Sequence, residues 1–502
     1  MLFDHLNTPQ SPTGSDSVLA WLDGFTAATE EVAEHRFTRI SDPLGIYTKR
    51  ASLFSPEKRP GLIGKVLAHR GDIKLPDSKD QVAGRLERWA LQSVARHALP
   101  DSRTAACMRN RAKGCSHVVV KWSNSSERAS YANLQVCGSV WACPVCAAKI
   151  SEHRRKELLE LMERHTGAGG YAYLVTRTFS HKSSANLEEL QAGLKVAESK
   201  LKSGKYWQAM KADFGFVGTV RALEVTLASA SGGWHPHIHE LWFVNRKLST
   251  VEQEQLRARM FDKWAKACAA AGLGAPSEDH GVDVRGGKDA ARYISKWGMA
   301  SELTKGHVKN SAKGLSPFDL LRLGLHTADT SVAGLARDLF AEYAQAMKGR
   351  QQLVWSQGLR KRYDVIEVDD AEVVEGTEPD AEALGRLDTE EWRAILRTNR
   401  RGQLLEAVNA SRGQWSTALA FIAQAVADHE AQKLGMGEAH GSEAKPTAVD
   451  ITNSIDAGHD AATQPEVAAR HDKQGIGALP GCAASLRRDR RGIGLKRPVG
   501  TF

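Results

Sequence analysis

The side chains with the clearest potential for chemistry lie in one segment, Gly233-Trp-His-Pro-His-Ile-His-Glu-Leu-Trp-Phe-Val244. Its composition predicts a β-strand, in which successive side chains point to opposite faces. His235, His237 and His239 therefore share one face, and Ile238 points the other way, toward an apolar core. Three imidazoles on one face are difficult to explain as packing, because each needs its own hydrogen-bond partner. Neutral imidazole is the commonest metal ligand, so the segment indicates a metal site.

The preceding segment supplies a carboxylate. Residues 216–227 read as a strand in which Leu223, Val225 and Leu227 form the apolar face, which leaves Glu224 on the other. A hairpin centred on residues 230–231 sets Glu224 opposite His237, with Cβ atoms about 5 Å apart. Two histidines and one carboxylate with open positions suit Mg²⁺ or Mn²⁺ acting as a Lewis acid on a phosphate. An ion pair of Glu224 with a nearby Arg or Lys is the alternative.

A tyrosine lies on a predicted helix further along the chain. Asp289, Tyr293 and Lys296 stand at i, i+4 and i+7, so they share one helix face. A phenol with a pKa of about 10 is a weak nucleophile unless its phenolate is stabilised, for example by a lysine one turn away. Asp289 has the position of a general base or of a group that activates a water. The spacing alone is a weak signal, because a surface tyrosine beside a solvated charge shares it.

Five of the seven cysteines fall within forty residues, which indicates a structural zinc site. These five are Cys107, Cys115, Cys137, Cys143 and Cys146. The five thiols and His117 compete for four positions, so the ligand set stays open, and the Cys-Pro-Val-Cys pair Cys143 and Cys146 is the safest part of it. Reduced, unligated thiols are the alternative. Cys268 lies on the apolar stripe of a predicted helix and is interpreted as a core residue.

The order of these pieces resembles the three-motif signature of rolling-circle plasmid replication initiators of the single-tyrosine type, which belong to the HUH endonuclease superfamily. The three motifs are Leu174-Val-Thr-Arg-Thr-Phe-Ser-His181, Trp234-His-Pro-His-Ile-His239 and Tyr293-Ile-Ser-Lys-Trp297. Residues 314–321 and 355–360 are similar to segments that follow the third motif in such initiators. The resemblance covers roughly residues 107–360.

The resemblance implies a mechanism. Tyr293 would attack a phosphodiester at the plasmid double-strand origin, become linked to the 5′ phosphate and free a 3′-hydroxyl primer. It implies His237 and His239 as ligands of the catalytic divalent metal, while Glu224 as third ligand rests on the hairpin geometry. Asp289 stands where such initiators often have a glutamate that works with water in termination, and its shorter side chain reduces the reach.

The resemblance also implies a host helicase and a DNA polymerase as partners. Every Gly-Lys pair is followed by a residue other than Ser or Thr, so no phosphate-binding loop is recognised and we expect no intrinsic ATPase. A transposase of the same superfamily is an alternative, whereas a relaxase usually carries its tyrosine near the N-terminus. A non-catalytic zinc-dependent DNA-binding regulator explains the cysteines and the charge, but not the histidines or Tyr293. A zinc hydrolase is disfavoured because the sequence has no H-E-x-x-H motif.

Composition agrees with a DNA-associated protein. The chain has 502 residues, a net charge of +9 and a pI near 9.1, and such a positive balance favours a polyanionic partner. Hydrophobic residues make up 42% and charged residues 25%, which is ordinary for a globular chain of two or three domains. The first residues have an early acid and no apolar h-region, so we do not expect a signal peptide, and no apolar run approaches the roughly 18 residues that span a bilayer. We expect a cytoplasmic protein without a membrane partner.

The predicted fold class is α+β. A central antiparallel sheet carries the His-hydrophobic-His strand, with helices packed on one side, and a small zinc-binding module precedes it. The predicted regions are an N-terminal region of unknown role (1–100), the cysteine-rich module (101–150), the nicking domain (151–362), an acidic linker (363–392), a helical segment (393–432) and a disordered basic tail (433–502).

Overall fold

The computed structural model describes residues 55, 57–76, 80–228, 233–297, 314–376 and 380–441, and it describes residues 293, 295–297 and 435–441 by their backbone alone. The helices are α1 (Arg59–Ala68), α2 (Gln81–Ala98), α3 (Arg103–Ala106), α4 (Pro144–Gly167), α5 (Leu187–Leu201), α6 (Gly204–Asp213), α7 (Thr250–Ala270), α8 (Gly287–Trp297), α9 (Pro317–His326), α10 (Thr330–Ala346), α11 (Leu359–Arg362), α12 (Asp370–Glu375), α13 (Thr389–Arg397), α14 (Arg401–Ala410) and α15 (Trp415–Gly441). The strands are β1 (Val118–Ser123), β2 (Arg128–Ala132), β3 (Tyr171–Arg177), β4 (Phe216–Ala228), β5 (Gly233–Val244), β6 (Val282–Arg285), β7 (Leu353–Trp355) and β8 (Glu382–Leu387).

A five-stranded antiparallel sheet forms the centre of the fold, in the order β6-β3-β5-β4-β7. The β4–β5 hairpin is its longest pairing, and β3 pairs with the other edge of β5. The histidine strand β5 is therefore the middle strand. This confirms the predicted α+β class with a central antiparallel sheet around the His-hydrophobic-His strand. Strand β7, from one of the segments that follow the third motif, pairs with β4 at the edge.

Helices cover both faces of this sheet, so the expectation of helices on one side is wrong. On one face, Ile238 and Trp242 pack in the same apolar cluster as residues of α5 and α7. On the other face, which also carries the histidines, Leu241 and Phe243 pack with residues of α4 and α8. The reason is that β3 and the second half of β5 are apolar on both faces, and such strands need cover on both sides.

An ion network centred on the fully buried Arg177 and Glu240 lies on the face opposite the histidines. Nη1 of Arg177 donates to Oε2 of Glu240 at 2.7 Å, and Nη2 donates to Oε1 of Glu198 at 2.8 Å. Lys202 also pairs with Glu240. Burial alone would raise the pKa of Glu240, but Lys202 and Arg177 outweigh it and hold that pKa well below its usual value. The network ties β3 and β5 to α5 directly behind the candidate site.

Removing Glu240 is expected to destabilise the protein strongly. Glu240→Ala leaves a buried guanidinium with half of its counter-charge, and breaking a buried pair in this way costs about 3 kcal/mol or more. Urea denaturation followed by circular dichroism measures the loss. Glu254→Ala is the matched control, because Glu254 pairs with Arg257 at 2.7 Å on the surface and its removal should change little. Equal losses in the two variants would contradict the role given to the network.

A second antiparallel sheet has the order β2-β1-β8. Strand β8 comes from the stretch predicted as an acidic linker, and its Leu387 pairs with Val118 of β1. The prediction of a solvated linker is therefore wrong for residues 382–387. The many acidic residues around it made this stretch look fully solvated, although its Leu387 is buried while its Glu382 is exposed. The number of acidic residues in a segment does not show which of its side chains are buried.

Segments distant in sequence enclose the cysteine-rich region. Helix α2, predicted over residues 80–99, contacts α4, α9 and α14. Side-chain contacts join it to the predicted helical segment: Ser93 donates to Asn399 at 3.0 Å, Arg85 pairs with Glu406 at 2.6 Å, and Gln92 accepts from Arg401. None of the helices in the described ranges is both long and apolar enough to cross a membrane. The predicted disordered tail lies, beyond residue 441, outside the described residues.

Candidate active site and cysteine cluster

The hairpin brings two histidines and one carboxylate together. Glu224 is in register with His237, as the sequence predicted. Oε2 of Glu224 lies 3.2 Å from Nε2 of His237 and 3.3 Å from Nε2 of His239. One ligand atom from each residue lies within 4.8 Å of the others. Two imidazole nitrogens and a carboxylate oxygen at this spacing fit a single divalent cation with positions left for a substrate oxygen.

Contacts behind the rings orient the two histidines. Oγ1 of Thr176 lies 2.9 Å from Nδ1 of His239, and Nδ1 of His237 donates to the carbonyl oxygen of His235 at 3.3 Å. Each ring therefore turns its Nε2 toward Glu224. Partners of this kind fix the orientation of metal-ligating histidines. The sequence analysis assigned Thr176 no role, although its position in the first motif and its pairing with His239 in the register are the signals that identify it.

The electrostatics of the site favour an ionised carboxylate. Burial alone would raise the pKa of Glu224, but His239 and His237 lower it well below its usual value. Burial alone would lower the pKa of His237, but its hydrogen bond to Glu224 raises it. The carboxylate side chain is nevertheless 33% exposed. The group is thus charged and open to solvent, as a cation site that receives a substrate must be.

A further histidine pair extends this row. Nε2 of His181 lies 3.1 Å from Nδ1 of His235, and the ring of His235 stacks on that of His237 at 5.5 Å between centroids. Burial, then His237 and His181, lower the pKa of His235 to about 4. His235 is therefore neutral near neutral pH. It shares the face of the metal-binding histidines, as predicted, but does not belong to the group around Glu224.

Helix α8 lies on the histidine face of the sheet. Its first residue, Gly287, donates its backbone N–H to Oη of Tyr171 at 3.2 Å, and its Ala290 and Ile294 are fully buried in the apolar cluster of that face. Asp289 is half-buried, with Nη1 of Arg292 3.9 Å from its Oδ1.

Tyr293 and Lys296 belong to α8, and their side chains lie outside the described part of the structure. The helix expected for the third motif is present, and the roles of Asp289, Tyr293 and Lys296 stay predictions.

Four of the five clustered cysteines form a buried group. These are Cys107, Cys137, Cys143 and Cys146. The Sγ atom of Cys107 lies 3.4 Å from that of Cys146 and 3.8 Å from that of Cys143. Burial raises the pKa of the Cys143 thiol, but hydrogen bonds from the other three thiols outweigh it and lower that pKa well below its usual value. Cys115 and His117, both candidates by sequence, do not belong to this group.

The surroundings of the thiols fit a zinc ion. Arg401 is buried beside them, and its Nη1 donates to Oε1 of Gln92 at 2.7 Å and to the carbonyl oxygen of Met108 at 3.0 Å. Its Nε and Nη2 have no hydrogen-bond partner in the described part. Nε2 of Gln92 donates to Sγ of Cys143 at 3.2 Å. A buried cation with no carboxylate beside it needs another anion. Four thiolates around Zn²⁺ carry a net charge of −2 and supply it.

Arg401 is a functional residue that the sequence analysis missed. Helix α14 brings it to the cysteines from far along the chain, and its own segment carries no motif that points to a metal site. Burial lowers its pKa to about 10, whereas Cys107 and Cys143 act in the opposite direction. The C-terminal helices are therefore part of the cysteine site.

These features define an α+β protein in which a hairpin carries two histidines and a glutamate that could hold a metal ion, with a separate cysteine cluster. The family described as "Replication protein" matches residues 129–403, more than half of the chain. The chain therefore belongs to the replication protein family, and the resemblance to plasmid replication initiators is confirmed.

Two curated proteins are similar to this chain. "Protein rep" of Streptomyces lividans is 29% identical over 350 residues, which cover 56% of this chain and 76% of that protein. A "Neomycin resistance protein" of Streptomyces cyanogenus is 30% identical over 135 residues, or 22% of this chain and 31% of that protein. No solved structure matches the chain.

Proposed function

We propose that this replication protein cuts one strand of DNA at a plasmid origin and stays joined to it through Tyr293. Membership of the family supports a role in the initiation of plasmid replication. The observation that carries the cutting step is the group of His237, His239 and Glu224, which is partly open to solvent and lies on the same face of the sheet as α8.

His237, His239 and Glu224 would hold Mg²⁺ or Mn²⁺. Such an ion polarises a phosphate oxygen and stabilises the charge that develops on it during displacement. Thr176 keeps the ring of His239 turned toward this position, and the ionised Glu224 provides the negative charge that retains a divalent cation. His235, the neighbouring imidazole on the strand, is neutral near neutral pH, so it adds no positive charge that would repel the cation.

The transfer step follows from the residues of α8. Oη of Tyr293 attacks the phosphorus, a bond forms between them, and the bond from phosphorus to the 3′ oxygen breaks. Asp289, one turn earlier, accepts the phenolic proton, and Lys296, one turn later, favours the phenolate. The departing 3′ oxygen takes a proton from water and becomes the 3′-hydroxyl that primes synthesis. The linkage to Tyr293 preserves a reactive phosphodiester, so a later 3′-hydroxyl can rejoin the strand.

The topology supports this assignment. Strand β6 pairs with β3 from Val282 to Arg285, so the chain has moved away from the level of His239 when it enters α8. Helix α8 contacts β3 and α4. Its buried residues Ala290 and Ile294 belong to the apolar cluster on the histidine face, so the helix that carries Tyr293 lies on the same face of the sheet as the histidine pair.

The direct test uses supercoiled plasmid that carries the replication origin served by this protein. Incubation with the protein and Mn²⁺ should give relaxed circles with protein attached, visible as a mobility shift that protease removes. A chelator should prevent the relaxation. A non-catalytic zinc-dependent DNA-binding regulator would bind the same plasmid and leave it supercoiled, so unchanged topology at saturating binding would favour that alternative.

We also propose that a host helicase and a DNA polymerase complete the reaction. Cutting supplies a primer but does not unwind the duplex, and the sequence has no phosphate-binding loop. The purified protein should therefore not hydrolyse ATP, with or without single-stranded DNA, as measured by phosphate release. DNA-stimulated turnover that co-purifies with the protein after removal of contaminating helicases would contradict this expectation.

A further inference from the structure

Three separate segments, each of which carries an arginine, are in contact beside the cysteine region. Arg96 lies in the last turn of α2, Arg109 in the loop after Cys107, and Arg397 at the end of α13. We call them the arginine cluster. The contact of Ser93 with Asn399, 3.0 Å long, holds the end of α2 against the segment that follows Arg397. The three segments are thus held together by side-chain contacts.

Further contacts fix the position of Arg109. Its carbonyl oxygen accepts a hydrogen bond of 2.7 Å from Nε1 of Trp392 in α13, and the preceding residue, Met108, is held by Arg401. Burial, then Arg401, Arg96 and Arg397, lower the pKa of Arg109 to about 9. All of the charges that act on it are positive. Burial and then Arg397 likewise lower the pKa of Arg96.

Several other shielded arginines of the same protein form ion pairs with carboxylates: Arg59 with Glu342, Arg85 with Glu406, Arg154 with Glu157, and Arg322 with Glu87. Arg401, beside the cysteines, is an exception. Among the residues that the structure describes, none of the arginine cluster forms an ion pair. The buried Nε of Arg96 has no hydrogen-bond partner there. Like charges held together in this way repel one another and are stabilised by an external anion.

We propose that Arg96, Arg109 and Arg397 bind backbone phosphates of DNA outside the position where the strand is cut. The proposal rests on the proposed function, which makes DNA the polyanion. Guanidinium groups recognise phosphates with paired hydrogen bonds and are always charged. None of the three residues belongs to the five-stranded sheet that carries Glu224 and the histidines, so the two sites are built on different parts of the fold.

The cluster lies within a larger positive region. Arg393 is exposed on α13. Burial, then Lys433, Arg397 and Arg393, lower the pKa of His429 on α15, while Glu430 acts in the opposite direction. Because the segments that carry the cluster also carry Cys107 and flank Arg401, the cysteine site would hold this surface in shape. In this proposal α2 and the C-terminal helices take part in DNA binding. The three sequence motifs assign these helices no role.

The experiment uses the full chain with Arg96, Arg109 and Arg397 all changed to Gln. The probes are a duplex oligonucleotide of arbitrary sequence and its single-stranded counterpart, and fluorescence anisotropy measures affinity across a series of salt concentrations. Loss of three phosphate contacts should reduce the slope of log K against log salt by about 2 to 3. We expect affinity for the duplex to fall about tenfold or more at low salt.

The matched control removes three paired arginines with the same change in net charge, Arg155→Gln, Arg246→Gln and Arg257→Gln. It should change the salt slope little. Equal losses in the two triple variants, or an unchanged slope in the cluster variant, would overturn the proposal. A loss confined to the single-stranded probe would support the phosphate site and identify single-stranded DNA as its ligand.

Two further measurements keep the result interpretable. Thermal unfolding shows whether the triple variant folds. If it does not fold, the single variant Arg397→Gln, at the exposed Arg397, is used in its place. Its salt slope should fall by about 1. Plasmid relaxation with Mn²⁺ separates the two proposals. If the wild-type protein never relaxes plasmid but its duplex binding depends on the cluster, the proposed function fails and the phosphate site stands.

Discussion

Tyr293→Phe is expected to abolish cutting while DNA binding stays nearly unchanged. The substitution removes the attacking oxygen and leaves a side chain of almost the same shape, so neither the helix nor the sheet behind it should change. Relaxation of supercoiled plasmid in Mn²⁺ should fall below detection, and the protein attached to DNA after denaturation should disappear. Anisotropy with a duplex probe should give the wild-type affinity.

A control for loss of any phenolic hydroxyl is Tyr206→Phe, on an exposed tyrosine of α6. This variant should cut at the wild-type rate. Cutting retained by the Tyr293→Phe variant would exclude Tyr293 as the nucleophile. Loss of DNA binding together with cutting would show that the phenol acts in binding, and the transfer step would need another residue.

Replacement of His237 and His239 by Ala is expected to abolish metal-dependent cutting without unfolding the protein. Both rings point away from the apolar cluster that contains Ile238 and Trp242, so their removal leaves that packing untouched and the strand should stay in place. Calorimetric titration with Mn²⁺ should show the loss of a binding site, and the melting temperature should change little. Cutting that persists in this variant would reject the site.

The same measurements on Cys143→Ser with Cys146→Ser should give the opposite pattern. A structural zinc site contributes to folding directly, so this variant should lose zinc and melt at a lower temperature. Zinc content by mass spectrometry and thermal unfolding together distinguish the two sites. Similar losses of zinc and of stability in the histidine and cysteine variants would show that the division into a catalytic and a structural site is wrong.

The sequence was sufficient to predict the hairpin because strand alternation and a short turn leave little freedom. Glu224 lies opposite His237 in the register because both the apolar face and the position of the turn specify it. The same alternation identified Ile238 as a core residue, and it is fully buried. Cys268 is buried as predicted from its helical stripe.

Long-range contacts were not predictable in this way. Cys107 and Cys137 belong to the cysteine group and Cys115 does not. This depends on how the segments after α3 and β2 meet the start of α4 in the folded chain, which the spacing of the cysteines does not specify. The pairing of β8 with β1 and the position of Arg401 join segments that are far apart in sequence, and an acidic composition concealed one of them. Local sequence patterns predict helices and strands, whereas contacts between residues distant in the chain are known only from the folded structure.

The order of synthesis separates the cysteine cluster in time from the helix that covers it. All four thiols are made well before Arg401, and elongation at about 5 to 20 residues per second separates Cys146 from Arg401 by roughly 10 to 50 s. Throughout this interval α14 has not been made, so Arg401 does not yet contact Gln92 and Met108 beside the thiols. Once α14 docks, all four are buried. Zinc binding to the nascent chain, before the C-terminal helices emerge from the ribosome, is therefore the direct route to a zinc-bound cysteine site. Ribosome pausing between Cys146 and Arg401 would lengthen the time available for it.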